Sequence, residues 1–178
     1  MHALIVGEQG VGKSTLIARV RKELGLREAG VETVREVSMT EERGAPVFLY
    51  RVGSPRTKGP DNLAAYVKPG GKTSFPQVFD RSAPLLKQDA GDAELIVLDE
   101  LGFLESQSPV FCRTVLEILD GNTPVIAAVK PMDTPFLCAV RSHQNARIFT
   151  IDETNRDALA GEVFAFLCQQ TAKTRQQS

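Results

Sequence analysis

Short apolar runs alternate with amphipathic segments along most of this chain. A continuous apolar run is typical of a parallel strand that helices cover on both faces, whereas apolar residues recurring at every third or fourth position predict a helix. We predict strands at residues 3–6, 94–98, 125–129 and 147–151, and helices at 14–24, 109–120, 135–142 and from about 155 onward. Strands alternating with helices predict an α/β doubly wound fold with a mostly parallel central sheet flanked by helices.

The segment between residues 28 and 76 lacks this alternation. Residues 31–37 and 47–52 are predicted to pair as a hairpin across residues 41–44. Residues 54–71 are rich in proline and glycine and predict a long loop with a brief strand at 63–67; loops that long are usually functional or mobile. We therefore expect one domain over residues 1–170 with an irregular insert at about 28–76, and a frayed polar tail at 171–178.

Composition narrows the classes of protein to which this chain can belong. Its 178 residues suit one domain, and 42% hydrophobic with 24% charged residues is the balance of an ordinary globular protein. A formal net charge of −1 provides no global positive field for nucleic acid or an anionic membrane. We expect no membrane partner and no clear nucleic-acid surface, and the sequence does not identify a protein partner.

The three cysteines, Cys112, Cys138 and Cys168, are far apart and form no CxxC pair. Their apolar surroundings are typical of small buried side chains, and His2 and His143 lack the spacing of a zinc site. An odd number of thiols suits a reducing compartment. The first apolar run is too short for a signal peptide, and no run is long enough to span a membrane. We expect a cytoplasmic protein.

A glycine-rich motif follows the first predicted strand. The pattern GxxxxGK[ST] is matched by Gly7-Glu8-Gln9-Gly10-Val11-Gly12-Lys13-Ser14, and Thr15 follows. Glycines let successive backbone N–H groups face a phosphate, and the following helix adds its positive end. A chance match is expected in under about one chain of this length in a hundred. We predict that this P-loop binds a nucleoside triphosphate, with Lys13 on the β- and γ-phosphates and Ser14 ligating Mg²⁺.

An acidic pair, Asp99 and Glu100, follows the apolar run at residues 95–98. This Walker B pattern predicts that Asp99 holds Mg²⁺ through its water shell and that Glu100 orients or deprotonates an attacking water. Without the P-loop upstream, such a pair would more often cap a helix or face solvent. Glu105 is either another participant or a surface carboxylate.

These motifs resemble those of a known family. GEQGVGKST and VLDELGFLE are similar to the P-loop and Walker B of the small P-loop nucleoside-triphosphatase family that includes the cancer-related nucleoside triphosphatase. NTPVIAAVKPM and Thr154-Asn155-Arg156 resemble later family segments, whereas residues 30–37 match the family poorly. The resemblance implies a RecA-like sheet in which the Walker B strand is not beside the P-loop strand. It also implies slow Mg²⁺-dependent hydrolysis of ATP, GTP and other triphosphates to the diphosphate.

The resemblance places Asn155 and Arg156 near the base. Their alternative roles are a helix N-cap and an exposed arginine of the first turn. GTPases read guanine with an NKxD motif, but the corresponding segment here is Val129-Lys130-Pro131-Met132-Asp133, which lacks the asparagine and has the aspartate one place late. Strict guanine specificity is therefore not expected.

Two other functions remain open at this point. A small-molecule or nucleotide kinase shares the P-loop but needs an arginine-rich lid, and residues 51–58 are sparse in arginine. An ATP-binding switch or adaptor with negligible turnover is compatible with the poorly matched middle segment. Transition-state charge usually needs a further cation, for which Arg51, Arg56 and Lys58 are candidates unless they are merely solvated.

Overall fold

The computed structural model describes residues 1–177, which form one eight-stranded sheet with helices on both faces. The strands are β1 His2–Val6, β2 Glu28–Arg35, β3 Ala45–Arg51, β4 Leu63–Lys68, β5 Gly71–Ser74, β6 Leu95–Leu101, β7 Val125–Val129 and β8 Ala146–Thr150. The helices are α1 Lys13–Leu24, α2 Gln77–Ala90, α3 Pro109–Asp120, α4 Pro135–Arg141 and α5 Arg156–Gln177. Among residues 1–177, no helix is both long and apolar enough to cross a membrane.

The strand order is β5-β4-β3-β2-β6-β7-β1-β8. β2, β6, β7, β1 and β8 run parallel, and β3, β4 and β5 extend the sheet as an antiparallel meander. The predicted doubly wound α/β fold is confirmed. β7 separates β1 from β6, as the family resemblance implies. Because parallel strands end at the same edge, the segments after β1, β6 and β7 meet there.

The sheet divides the core into two layers. Leu4 and Val6 of β1 pack with α2, α3 and α4 on one face, whereas Ala3 and Ile5 pack with α1 and α5 on the other. Successive residues of a strand point to opposite faces, so a strand covered on both faces needs apolar residues at every position. This explains why β1 is apolar throughout.

The predicted elements agree with the structure to within a few residues, but α2 was not predicted. This helix contains Pro84, and a proline inside a helix removes a backbone hydrogen bond and normally argues against helix. The apolar residues Val78, Phe79 and Leu86 nevertheless bury one face of α2 in the core. Tertiary packing therefore outweighs the local signal.

The start of α3 was predicted correctly, and a neighbouring helix caps its first turn. The Ser108 hydroxyl donates to the carbonyl of Pro76 at 2.8 Å and does not cap the helix. Asp80 of α2 accepts from the backbone N–H groups of Val110 and Phe111 at 3.0 and 3.1 Å. The orphan donors at the start of α3 are thus satisfied by a neighbouring helix.

The middle segment is more regular than expected. The predicted hairpin forms between β2 and β3, and the predicted brief strand is β4. β5 pairs with β4, although no strand was predicted there. At the other end, α5 is helical through Gln177, so residues 171–177 of the predicted polar tail continue this helix. Ser178, the last residue of that predicted tail, lies outside the described residues.

Candidate active site

The loop between β1 and α1 depends on glycines at two kinds of position. Gly10 and Gly12 have φ of 88° and 103°, the left-handed region that side chains disfavour. Gly7 is needed for a different reason: an added Cβ would lie 2.6 Å from the carbonyl oxygen of Ile151. The loop can therefore turn tightly and pass close to the end of β8 only with glycine at these positions.

Lys13 is the first residue of α1, packs against this loop and is only 4% exposed. Its Nζ donates to the carbonyls of Gly7 and Glu8, both at 2.8 Å. It also pairs with Glu100 Oε2 at 3.2 Å. The ammonium thus lies between the phosphate-binding backbone and the acidic pair near the end of β6.

The remaining predicted P-loop residues differ in exposure. Glu8, Gln9, Gly10, Ser14 and Thr15 are exposed, Val11 and Gly12 are half-buried, and Gly7 is buried. The backbone of the loop and the first turn of α1 are accessible. A phosphate can therefore reach their N–H groups.

Ser14 and Asp99 meet across the sheet edge. The Ser14 hydroxyl donates to Asp99 Oδ1 at 3.0 Å. Burial raises the pKa of Asp99 above its ordinary range, and the neighbouring Glu100 charge raises it further. The two oxygen ligands predicted for Mg²⁺ are therefore adjacent.

The chemistry of this pair fits Mg²⁺. Hydroxyl and carboxylate oxygens are hard ligands, and Mg²⁺ usually takes one or two protein ligands and completes its shell with water and substrate phosphate. Over residues 1–177, no group of three or more His, Cys, Asp and Glu side chains comes together as a cage for a metal ion. A cation that depends on water and phosphate for its other ligands is the kind that fits Ser14 and Asp99.

Glu100 lies between two lysines. Its Oε2 pairs with Lys13, and its Oε1 pairs with Lys130 Nζ at 2.8 Å. Lys130 follows β7 and was considered in the sequence only as part of a missing guanine motif. Its position beside Glu100 depends on β7 lying between β1 and β6, which the sequence pattern alone does not reveal.

A cavity of about 260 Å³ opens beside this group. Its wall contains Gln9 of the P-loop, Glu100 and Lys130, together with Lys72 and Phe103. The Lys72 ammonium lies 3.0 Å from the centre of the Phe103 ring. The cavity provides space beside the Glu100 carboxylate.

Glu105 is buried, so its interpretation as a surface carboxylate is wrong. The N–H of Gly102 donates to its Oε2 at 2.8 Å, and the Thr33 hydroxyl donates to its Oε1 at 3.1 Å. Burial raises the pKa of Glu105 to about 7. These contacts join the turn after β6 to β2, which indicates a role in fixing that turn.

We expect Glu105→Gln to remove a pH dependence of stability. A pKa near 7 in the fold against an ordinary 4.5 means that the folded state binds more protons between these values, so the unfolding free energy falls as pH rises through this window. Urea unfolding should show that the unfolding free energy of the variant, relative to that of wild type, is higher at pH 8 than at pH 5 by about 2–3 kcal/mol. Glu162→Gln, at an exposed position of α5, should show no such gain, and a constant difference for Glu105→Gln would contradict the shifted pKa.

Asn155 and Arg156 have different surroundings. Asn155 Oδ1 accepts from Asp152 N at 3.0 Å and its Nδ2 donates to Thr150 O at 2.9 Å, which fixes the turn from β8 to α5. Arg156 borders a cavity of about 220 Å³ with Gly12 and Thr15. Only Arg156 therefore lies directly against the P-loop.

The three cations considered for transition-state charge are engaged elsewhere. Arg51 pairs with Asp89 at 2.7 Å, and Lys58 pairs with Glu36 at 3.1 Å. Arg56 pairs with Glu32. None of the three contacts Glu100 or the P-loop in the described structure, whereas Lys130 does contact Glu100.

Comparison with known sequences gives a consistent result. A family model described as NTPase matches residues 2–164. The nucleoside-triphosphatase THEP1 of Thermotoga maritima is 28% identical over 176 residues, covering 94% of this chain and 95% of the relative. THEP1 of Methanothermobacter thermautotrophicus is 32% identical over 168 residues, covering 88% and 90% of the two chains.

Solved structures agree with the fold. The crystal structure of THEP1 from Aquifex aeolicus matches with a TM-score of 0.71 and 26% identity, covering 94% of this chain and 99% of the other. The solution structure of a human cancer-related nucleoside triphosphatase matches with a TM-score of 0.66 and 19% identity, covering 93% and 96%. The second likeness, at its low identity, concerns the fold alone.

Proposed function

The chain belongs to the NTPase family, and we propose that it hydrolyses ATP, GTP and other nucleoside triphosphates with Mg²⁺, which Ser14 and Asp99 would hold. Hydrolysis of nucleoside triphosphates follows from the family, so the chain is a hydrolase acting on phosphoric anhydrides. The observation that carries the magnesium site is the 3.0 Å contact of Ser14 with Asp99, beside the P-loop lysine. Glu100 then lies next to the metal ligand, where an attacking water is needed.

We propose the following roles for the residues of this site. The N–H groups of residues 7–15 and the Lys13 ammonium bind the β- and γ-phosphates. When bound, Mg²⁺ neutralises charge on the phosphate oxygens. Glu100 accepts a proton from water as the water oxygen bonds to the γ-phosphorus, and the bond from that phosphorus to the diphosphate oxygen breaks with its electrons on the diphosphate.

We propose that Arg156 lies near the base, with Asn155 holding the turn that presents it. Arg156 lies against Gly12 of the P-loop. A nucleotide whose phosphates bind this loop extends from them toward its base, which supports a position of Arg156 near the base. The absence of an NKxD motif supports loose base selectivity. Cys112, Cys138 and Cys168 are all free thiols, which supports a cytoplasmic location.

Phosphate release from the four ribonucleoside and four deoxyribonucleoside triphosphates tests the proposal. Each should be hydrolysed in the presence of Mg²⁺ but not when EDTA removes the metal, since Ser14 and Asp99 cannot themselves supply the positive charge of the metal. The specificity constants for ATP and GTP should agree within about tenfold, or roughly 1.4 kcal/mol. A hundredfold preference for one base would instead show a base-reading contact, for which Arg156 would be examined first. Undiminished hydrolysis in EDTA would contradict the metal site.

A further inference from the structure

Lys13 has to change partners when a triphosphate binds. An ammonium has three N–H donors. Lys13 donates to the carbonyls of Gly7 and Glu8 and forms an ion pair with the carboxylate of Glu100. A phosphate bound to Lys13 must replace at least one of them. Because Glu100 and phosphate are both anionic, Glu100 is the partner that the substrate displaces.

Lys130 can remain with Glu100 when Lys13 leaves. Its backbone N–H donates to Leu101 O at 3.0 Å, and its carbonyl accepts from Arg141 at 3.3 Å. Its side chain lies across Gly102, where an added Cβ would be 3.0 Å from Lys130 Cδ. None of these contacts involves the P-loop, so nucleotide binding leaves them in place.

The topology directs Lys130 to the site. Since β7 lies between β1 and β6, the residue that follows β7 lies between the P-loop and the acidic pair. The Lys130 side chain is 31% exposed and borders the cavity beside Glu100. Arg51, Arg56 and Lys58 are paired elsewhere.

We propose that Lys130 is a positioning residue for hydrolysis: it holds the Glu100 carboxylate toward the attacking water and balances its charge after Lys13 has moved to the phosphates. This inference rests on the proposed function, in which Glu100 accepts the proton of water. Without Lys130, Glu100 would be unpaired beside a bound triphosphate and repelled by it. Its carboxylate would then spend less time in the geometry that the reaction needs.

The test combines Lys130→Gln, Lys130→Arg and Glu100→Gln, and measures Mg·ATP affinity and single-turnover hydrolysis. Lys130→Gln should slow hydrolysis by about 10–100-fold, with affinity within about threefold of wild type. Lys130→Arg should recover most of the rate, because it restores the cation. In a Glu100→Gln background, Lys130→Gln should slow hydrolysis by less than about a further threefold, since a residue that acts through Glu100 then has no carboxylate to position.

The matched control is Lys87→Gln. Lys87 forms an ion pair with Glu117 at 2.7 Å on the surface of α2 and α3. This substitution removes a lysine–glutamate pair of similar length away from the site, and it should leave the rate unchanged. A Lys130→Gln rate equal to wild type overturns this inference alone. An undiminished effect in the Glu100→Gln background also overturns it, because Lys130 would then act on the phosphate directly. Absence of phosphate release from wild type overturns the proposed function and the inference together.

Discussion

Glu100→Gln should slow single-turnover ATP hydrolysis by about 10²–10⁴, or roughly 3–5.5 kcal/mol on the barrier. Glutamine keeps the shape of the side chain but cannot accept the proton of water. The effect on folding should be small, because the Glu100 side chain is 24% exposed and the residue lies near the end of a strand. Rapid-quench measurement at saturating Mg·ATP isolates the chemical step.

Nucleotide affinity should not fall in the same variant. Glu100 pairs with Lys13 and so competes with phosphate for that ammonium. A neutral glutamine weakens this competition, and Mg·ATP should bind at least as tightly as to wild type. A variant that hydrolyses ATP within about threefold of wild type would remove Glu100 from the role of base.

Asp99→Asn is the matched comparison for the same measurements. Asp99 accepts from Ser14 and is proposed to hold the metal, so its loss should weaken Mg·ATP binding and the dependence on magnesium together. Glu100→Gln should change the rate with binding retained. If the two adjacent acids instead fail in the same way, the division of roles between metal and water is wrong.

The P-loop was predictable because its geometry is local. The conformations of Gly10 and Gly12 and the bonds from Lys13 to Gly7 and Glu8 all lie within one short segment. A motif at that scale specifies its own shape. The end of β6 was predictable for a related reason, since an acid after a buried strand lies at the sheet edge where parallel strands end.

The partners of the acidic residues were not predictable in this way. Glu105 receives a hydrogen bond from Thr33, which is 72 residues away in the chain, and the fold places β2 beside β6 to bring them together. Lys130 reaches Glu100 only because β7 lies between β1 and β6. Strand order decides both contacts, and periodicity along the chain carries no information on strand order.

Local signals also concealed two elements. A proline inside a helix normally argues against it, and α2 contains Pro84 although the buried face of that helix is well packed. β5 is mostly exposed, and only its last residue is half-buried, so it lacks the apolar alternation by which strands are recognised. β5 pairs with β4 through backbone hydrogen bonds at the antiparallel edge of the sheet, where side-chain burial is not required.

Lys13→Ala should lower the affinity for Mg·ATP at least about tenfold, because each charge-assisted hydrogen bond to a phosphate contributes roughly 1.5–3 kcal/mol. Titration with a fluorescent ATP analogue measures this. The structure adds a second consequence, since Lys13 is nearly fully buried and bonded to the carbonyls of its own loop. Its removal frees those carbonyls, and the loop has to be ordered again when nucleotide binds.

Two measurements separate loss of the phosphate contact from loss of the fold. Urea unfolding should show that Lys13→Ala remains cooperatively folded, because the core around α1 is formed by Leu16, Ile17 and Val20. Lys22→Ala, an exposed lysine on the last turn of the same helix, should bind Mg·ATP as wild type does. A folded Lys13→Ala variant with wild-type affinity would mean that the triphosphate does not bind on this loop. The roles proposed for Ser14, Asp99 and Glu100 would then fail too, because all three assume a triphosphate bound there.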